Sequence, residues 1–452
     1  APVPAYLDAL VSKLYTDLAN HRGRSIVVAG PDQPAEVHAL AWAINDALGN
    51  LGQTITLAEE PGSHDTSNLQ DITELTGRLQ EGQIDTLLIL GGNPVYNAPA
   101  DLHFADALDQ VETSIHLSLY FNETSTRCHW HLPKAHWLES WGDGRAWDGT
   151  VSVQQPLIMP LFAGRSAIEV LALVLDQKPD KGYEMVRQTF ANWLPDGGFE
   201  SAWRKVLHEG LLAGSKYEAF KGRPASAKQT MAPVAAGDGF ELVFRPDLST
   251  HDGSYANNGW LQELPDPLTK LTWDNAALVN IADAKRLKLS NGDIVKVGVA
   301  GRELEIAAYL MPGQPQGVIT LPLGYGRTAA GHVGNGVGFD TYRVRTVAGI
   351  GTVPVATVAK TPKRYQLALT QNHHLIDWAG RKATEKRIGQ QGHSGYIVKE
   401  ATVNQYRRDP HFVQRDVHGN YRLQLYDGPV ESEAKRPGGP TAFNHPHAWG
   451  MA

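Results

Sequence analysis

One cysteine, Cys128, occurs in 452 residues. A lone thiol excludes an internal disulfide, and it excludes a cysteine-ligated iron–sulfur cluster or a four-cysteine zinc site built by this chain alone. Long apolar runs are also missing: nothing approaches the roughly 18 uninterrupted apolar residues of a membrane helix, so the chain is expected to have no span of its own. A basic excess is lacking too. The formal charge is −7 and the pI about 6.2, which argues against nucleic acid as the main partner, because phosphate recognition needs a basic surface. No Gly-x-Ser-x-Gly elbow is present, and Ser140 lacks the strand-turn-helix setting that would expose a nucleophile. Glu139 and Asp143 lie in a loop and read as loop structure, not as an acid/base pair. No secretory leader is visible. The chain opens Ala1-Pro2-Val3-Pro4, which reads as a mature or excised piece and assigns no compartment.

What is there describes a loop-rich globular protein: 42% apolar residues, 20% charged residues and 45 glycines, in a length suited to two or three domains. Residues 84–90 form a continuous apolar strand that stops at Gly91-Gly92-Asn93-Pro94. A run apolar on both faces suits a parallel strand covered by helices, and ligands of open α/β sheets bind beyond the carboxyl ends of such strands. The loop has two readings, an ordinary turn and a ligand cradle with glycine backbone beside the Asn93 amide. Around it the pattern alternates. Strands are expected at 25–30, 55–58 and 113–119, and helices at 33–50, 67–81 and 99–110. Together these predict an α/β, doubly wound, mostly parallel sheet. Residues 123–160 read as irregular, followed by helices near 166–175, 183–192 and 199–209 and an Ala/Gly/Ser/Lys linker at 224–239. Beyond it, a helix at 283–289 and strands at 294–299, 303–310 and 317–323 suggest a compact β-barrel. The domains are placed at 1–235, 236–359 and 360–452, the last an extended, histidine-rich connector.

Several motifs in order carry a family resemblance. Gly91-Gly92-Asn93-Pro94, Phe121-Asn122-Glu123-Thr124, His131-Leu132-Pro133, Leu138-Glu139-Ser140-Trp141-Gly142-Asp143 and Gln155-Pro156 resemble landmarks of the molybdopterin oxidoreductase family. Trp260 to Pro267, Thr272-Trp273-Asp274-Asn275, Asn291-Gly292-Asp293 and Leu321 to Gly326 resemble that family's dinucleotide-binding domain, a double-psi β-barrel. The resemblance implies cofactor-contacting positions at Gly92, Asn93, Pro94, Trp273, Asp274, Asn275 and Asn335. Asn275 and Asn291 serve equally as turn residues, and Trp273 as a core anchor.

Departures from the pattern carry as much weight. Working members hold an amino-terminal cysteine cluster and a molybdenum ligand in sequence before the position of residue 1, and where they read Ala-Asp ahead of Leu-Pro this chain has Cys128-His129-Trp130-His131. In a strand, His129 and His131 share a face that Cys128 does not, so a metal site from the three is disfavoured, and Cys128 reads as an inert, buried thiol. The connector narrows the resemblance. His373-His374, Asp377-Trp378, and Phe443 to Met451 with His445 and His447 resemble a segment of the iron–sulfur subunit of alternative complex III, a bacterial quinol:electron-acceptor oxidoreductase. The resemblance implies a cofactor-free domain, with iron–sulfur clusters and haem c in neighbouring domains or subunits. Its implied partners are a ferredoxin-like domain, a multihaem cytochrome c and an integral membrane quinol subunit on the periplasmic side of the inner membrane. His393, His411 and His418 share the connector without metal-ligand spacing. Two alternatives stay open: the carboxyl-terminal half of an active molybdopterin guanine dinucleotide oxidoreductase, held through Asn93, Asp274 and Asn335, and an independent binding protein.

Overall fold

A computed structural model describes residues 5–31, 33–59, 67–194, 198–220, 222, 239–370 and 402–410. They fall into two units, residues 1–236 with 329–331, and residues 237–328 with 332–452. The connector motifs at His373, His374, Asp377, Trp378, His393, His411, His418 and 443–451 lie outside the described residues.

In the first unit, three helices begin where short polar side chains, Ser67, Asn122 and Ser166, satisfy orphan amides of the first turn. Ser67 opens α3 (Asn68–Gln80) by accepting from the Gln70 N–H, and Ser166 with Glu169 forms a capping box on α7 (Ala167–Val174). Before α3 lie α1 (Ala5–Asn20) and α2 (Ala35–Ala47). The apolar run becomes β1 (Thr86–Ile89), which pairs in parallel with β2 (Thr113–Ser118), and β2 pairs in parallel with β3 (Trp130–Pro133). The register sets Ile89 against His116 and His116 against His131. Between the strands run α4 (Pro94–Asn97), α5 (Phe104–Leu108) and α6 (Glu123–Arg127). Leu79, Phe104, Ala107, Leu108 and Val111 form the core under this sheet.

Several expectations need correction. The apolar segment 25–30 is no strand; its Val27 N–H and C=O bond to the Asn45 side chain of α2 at 2.9 and 2.7 Å, so one amide takes the place of a neighbouring strand. Ile55 makes a single bridge to Leu51. The described parallel sheet therefore has three strands. The helix expected at 99–110 breaks at His103, which has φ +54°, into a 3₁₀ turn and α5. Residues 123–160 are more regular than expected, holding α6, β3 and the hairpin β4 (Gly142–Arg145) with β5 (Val151–Gln154). The α8 (Gly182–Ala191) and α9 (Phe199–Glu209) helices pack Val186, Phe190, Trp203 and Val206 against Val151 and Val153 of β5. The Trp203 indole is buried and donates to the Tyr183 hydroxyl at 3.2 Å, which pairs its only polar atom.

The second unit is a closed six-stranded mixed barrel. Its strands are β6 (Phe240–Arg245), β7 (Ala277–Val279), β8 (Asp293–Val299), β9 (Arg302–Leu310), β10 (Val318–Pro322) and β11 (Thr352–Arg364), in the order β10-β6-β11-β8-β9-β7. The β6–β10 and β7–β9 pairs are parallel and the other four antiparallel. Alternation on β6 buries Phe240, Leu242 and Phe244, and with Val295, Val297, Ile306, Ile319 and Leu321 these fill the barrel core. Two short helices, α10 (Gly259–Glu263) and α11 (Ile281–Leu287), start at Asn258 and Asn280, whose side chains accept from first-turn N–H groups.

Candidate functional site

Backbone geometry at the end of β1 explains its glycines. Gly91 and Gly92 have φ of +97° and +74°, conformations that side-chain-bearing residues rarely adopt, and Pro94 starts α4 at its first position. Asn93, between Gly92 and Pro94, is buried. Its Oδ1 accepts from the Thr124 N–H at 3.0 Å and the Thr124 hydroxyl at 2.8 Å, and its Nδ2 donates to Glu123 Oε2 at 2.8 Å. The other Glu123 oxygen accepts from the Ala329 N–H at 2.9 Å, and Ala329 belongs to this same unit. Asn122, which caps α6, donates to the Gly92 carbonyl at 3.2 Å. Both ends of the Asn93 amide are thus engaged with protein, Oδ1 as acceptor of two bonds and Nδ2 as donor of one.

Beside this loop lies a polar cluster on β2, β3 and α6. His116 Nδ1 is 2.8 Å from Ser125 Oγ, and Ser125 Oγ is 3.0 Å from His131 Nδ1. The His116 side chain is wholly buried, and its Nε2 has no hydrogen-bond partner among the described residues. Burial first, and then the neighbouring His131, hold His116 below the ordinary histidine range; the backbone of Gly91 and Gly92 favours a proton without bonding Nε2 in acceptable geometry. Burial also lowers His131. Sequence reasoning passed over His116 and Ser125. The visible signal was Ser114, His116 and Ser118 at every second position of a strand with Ile115 and Leu117 between them, a polar stripe that β2 buries.

Cys128, His129 and His131 do not converge. Cys128 caps the end of α6, so the strand expected through it starts two residues later, and the thiol packs against the core where burial pushes its pKa up. His129 Nδ1 lies 2.9 Å from Ser114 Oγ while His131 faces Ser125. Among the described residues no group of three or more His, Cys, Asp or Glu could hold a metal ion. Glu139 accepts from the His136 and Leu161 N–H groups, a loop-bracing part.

In the barrel unit, two of the remaining candidates, Asp274 and Asn275, are buried. Trp273 adopts φ +58° and its N–H donates to the Gln262 carbonyl. Asp274 is 5% exposed; its Oδ1 accepts from the Tyr365 hydroxyl at 2.8 Å and its Oδ2 from the Ala368 N–H at 3.1 Å. Asn275 donates to the Pro322 and Phe339 carbonyls at 2.9 Å and accepts from the Phe339 N–H at 2.7 Å. Both side chains pin loops to the barrel. Asn335 is exposed in a glycine-rich loop. Asn93 Oδ1, both Asp274 carboxylate oxygens and the Asn275 amide pair within the protein, so these side-chain atoms brace loops.

No family model matches the chain. A tetrathionate reductase subunit of Archaeoglobus fulgidus is 38% identical over 56 residues, a stretch that is 12% of this chain and 5% of that protein. Acetylene hydratase from Pelobacter acetylenicus is a similar solved structure, with a TM-score of 0.46 and 13% identity over 66% of this chain and 47% of that one. The matched regions thus span less than half of either relative. With the ordered motifs, the sequence match supports a chain that is molybdopterin oxidoreductase-like.

Proposed function

We propose that this chain is a cofactor-free structural domain of a respiratory, membrane-attached quinol:electron-acceptor oxidoreductase of the alternative complex III type. On this reading the first unit descends from a doubly wound cofactor domain and the barrel is of double-psi type. Iron–sulfur clusters and haem c are carried by a ferredoxin-like domain and a multihaem cytochrome c, an integral membrane protein of the complex handles quinol, and the assembly lies on the periplasmic side. The observation that carries the reading is the engagement of Asn93, Asp274 and Asn275 by their own fold, which leaves three of the inherited cofactor positions working as braces. A single cysteine in the whole chain agrees with electron carriers housed elsewhere. The chain's own task is then to position those carriers through surface contacts.

The test is isolation of the protein from native membranes, with metal, pterin and haem analysis of the product. Cytochrome and cluster subunits should co-purify, with no molybdenum or pterin assigned to this chain. Stoichiometric molybdenum with a pterin would overturn the proposal in favour of an active molybdopterin guanine dinucleotide oxidoreductase. Recovery as a lone monomer would favour an independent binding protein.

A further inference from the structure

In the first unit, the residues from Leu157 to Phe162 carry no charge, and all but Pro160 are large and apolar. Each of those apolar side chains is between 50 and 82% exposed, and Trp137 on the adjoining loop is 60% exposed. Backbone bonds hold the two loops together. The Leu157 and Ile158 N–H groups donate to the Leu138 carbonyl at 2.8 and 3.3 Å, and the Leu161 N–H donates to Glu139 Oε1 at 3.2 Å. The returning leg is clamped as well. Ala163, at φ +53°, turns the chain, the Ala135 N–H donates to the Arg165 carbonyl at 2.9 Å, and the Arg165 N–H donates to the Pro133 carbonyl at 3.1 Å. A Cβ on Gly164 would lie 2.9 Å from the Ala135 nitrogen, so glycine is what lets the legs approach this closely. The result is a braced loop that holds apolar side chains out from the body.

We propose that loop 157–162 is a membrane-surface anchor, which seats its apolar side chains in the interfacial layer of a bilayer with anionic headgroups. Contiguous apolar exposure of this kind marks a surface that meets something other than water. Three features favour lipid as that partner. Three of the five N–H groups in the stretch donate within the protein and Pro160 has none, which suits a medium that offers few hydrogen bonds. Side chains that stand this far out touch few neighbours of their own, which suits a fluid phase and not the packed pockets at the centre of protein interfaces. Charge is also complementary: the charged residues of loops 134–141 and 155–165 are Lys134, Arg165 and Glu139, a cationic excess in a chain whose total is −7. Glu139 accepts N–H bonds on both oxygens, from His136 and Leu161, whereas Arg165 is exposed at the base of the loop, where a lipid phosphate would pair with it. Trp137 supplies the aromatic ring that favours the headgroup level. Among the described residues no helix is long and apolar enough to cross a membrane, so the contact is peripheral. The inference stands on this loop alone and does not depend on membership of a respiratory complex.

The experiment is flotation of the full chain with vesicles of phosphatidylcholine alone, and of phosphatidylcholine with phosphatidylglycerol at about 7:3. The chain should float with both, and more strongly with the anionic vesicles. Met159→Glu and Phe162→Glu, both at exposed positions, should each weaken partition about tenfold or more. Arg165→Gln should remove the anionic preference and leave the remainder. Trp260→Glu in the barrel unit, at a side chain 89% exposed, is the comparison and should float as wild type. A chain that floats with neither vesicle overturns the anchor, and so does an equal loss of flotation in Trp260→Glu. If the chain ignores vesicles and sediments as a dimer that Phe162→Glu splits, the loop joins two copies and the lipid proposal is refuted.

Discussion

The Asn93 amide and the Glu123 carboxylate meet at 2.8 Å inside the first unit, which ties the glycine loop after β1 to the start of α6. Glu123 is 7% exposed, so its charge depends on donors that the protein supplies. Asn93→Ala removes the Asn93 donor from the carboxylate and strands the Thr124 N–H and hydroxyl. The expected loss is about 1–3 kcal/mol of stability, from buried groups left without partners. Asn93→Asp sets two carboxylates against each other and should cost more. Urea unfolding of the two variants checks the order, and an Asn93→Asp protein as stable as wild type would refute the account.

Tyr365 and Asp274 form the corresponding brace in the barrel unit. Burial raises the Asp274 carboxyl above the ordinary range, while the Tyr365 hydroxyl and Ala368 N–H pull against that rise; burial and then Asp274 push Tyr365 up to about 12. With a folded pKa above its unfolded value near 3.8, Asp274 contributes stability that is full below that value and lost as pH rises through the folded pKa. Tyr365→Phe removes a donor that favours the charged form, so this loss deepens at neutral pH. The expected destabilisation is about 1.5–3 kcal/mol at pH 7, where the bond is charge-assisted, and about 0.5–1.5 kcal/mol once the carboxyl is protonated. Denaturation midpoints at the two pH values decide it, and equal losses would count against a charged Asp274.

Legibility followed the physics of each segment. The barrel strands at 294–299, 303–310 and 317–323 were readable to within a residue or so, because alternation and the Asn291-Gly292-Asp293 turn fix them locally. The helix from Phe199 to Glu209 ended where Gly210, at φ +75°, permits. Segment 25–30 was misread since its composition is that of a strand, whereas its partner is the Asn45 side chain, a tertiary choice that no local pattern records. At the site, Gly91 and Gly92 were legible as backbone requirements. The direction in which Asn93, Asp274 and Asn275 turn was not, since an amide that braces a loop and one that awaits a ligand have the same letter. His116 showed the reverse problem, a polar residue whose stripe was visible but whose partners, Ser125 and His131, come from a helix and a strand further along the chain.

Gly292 tests the barrel turn. Its φ is +82°, and a Cβ there would lie 2.3 Å from the Tyr365 carbonyl, whose own N–H donates to the Gly292 carbonyl at 2.7 Å. Backbone cannot yield as a side-chain end can. Gly292→Ala should cost roughly 2–4 kcal/mol, combining left-handed strain with displacement of the 365–369 strap. Loss of hydrogen-exchange protection at Tyr365 in the variant is the local signature, and unchanged protection with unchanged stability would show that the turn tolerates a side chain.

His116 gives the first unit an acid sensitivity with a definite sign. Its folded pKa lies below the unfolded value of 6.5, so between the two the unfolded chain binds more protons than the native one. The contribution is therefore complete above 6.5 and is lost as pH falls toward and through the folded pKa. His131 adds to the same slope, since burial lowers it too. In His116→Gln the ring that resists protonation is gone. The variant should be less stable at pH 8, through the altered Ser125 contact, yet lose less between pH 7 and pH 5 than wild type. Thermal midpoints across that interval measure the difference. Parallel curves for the two proteins would mean that the buried histidine keeps its proton affinity on folding, against the burial and lone Nε2 that the structure gives it.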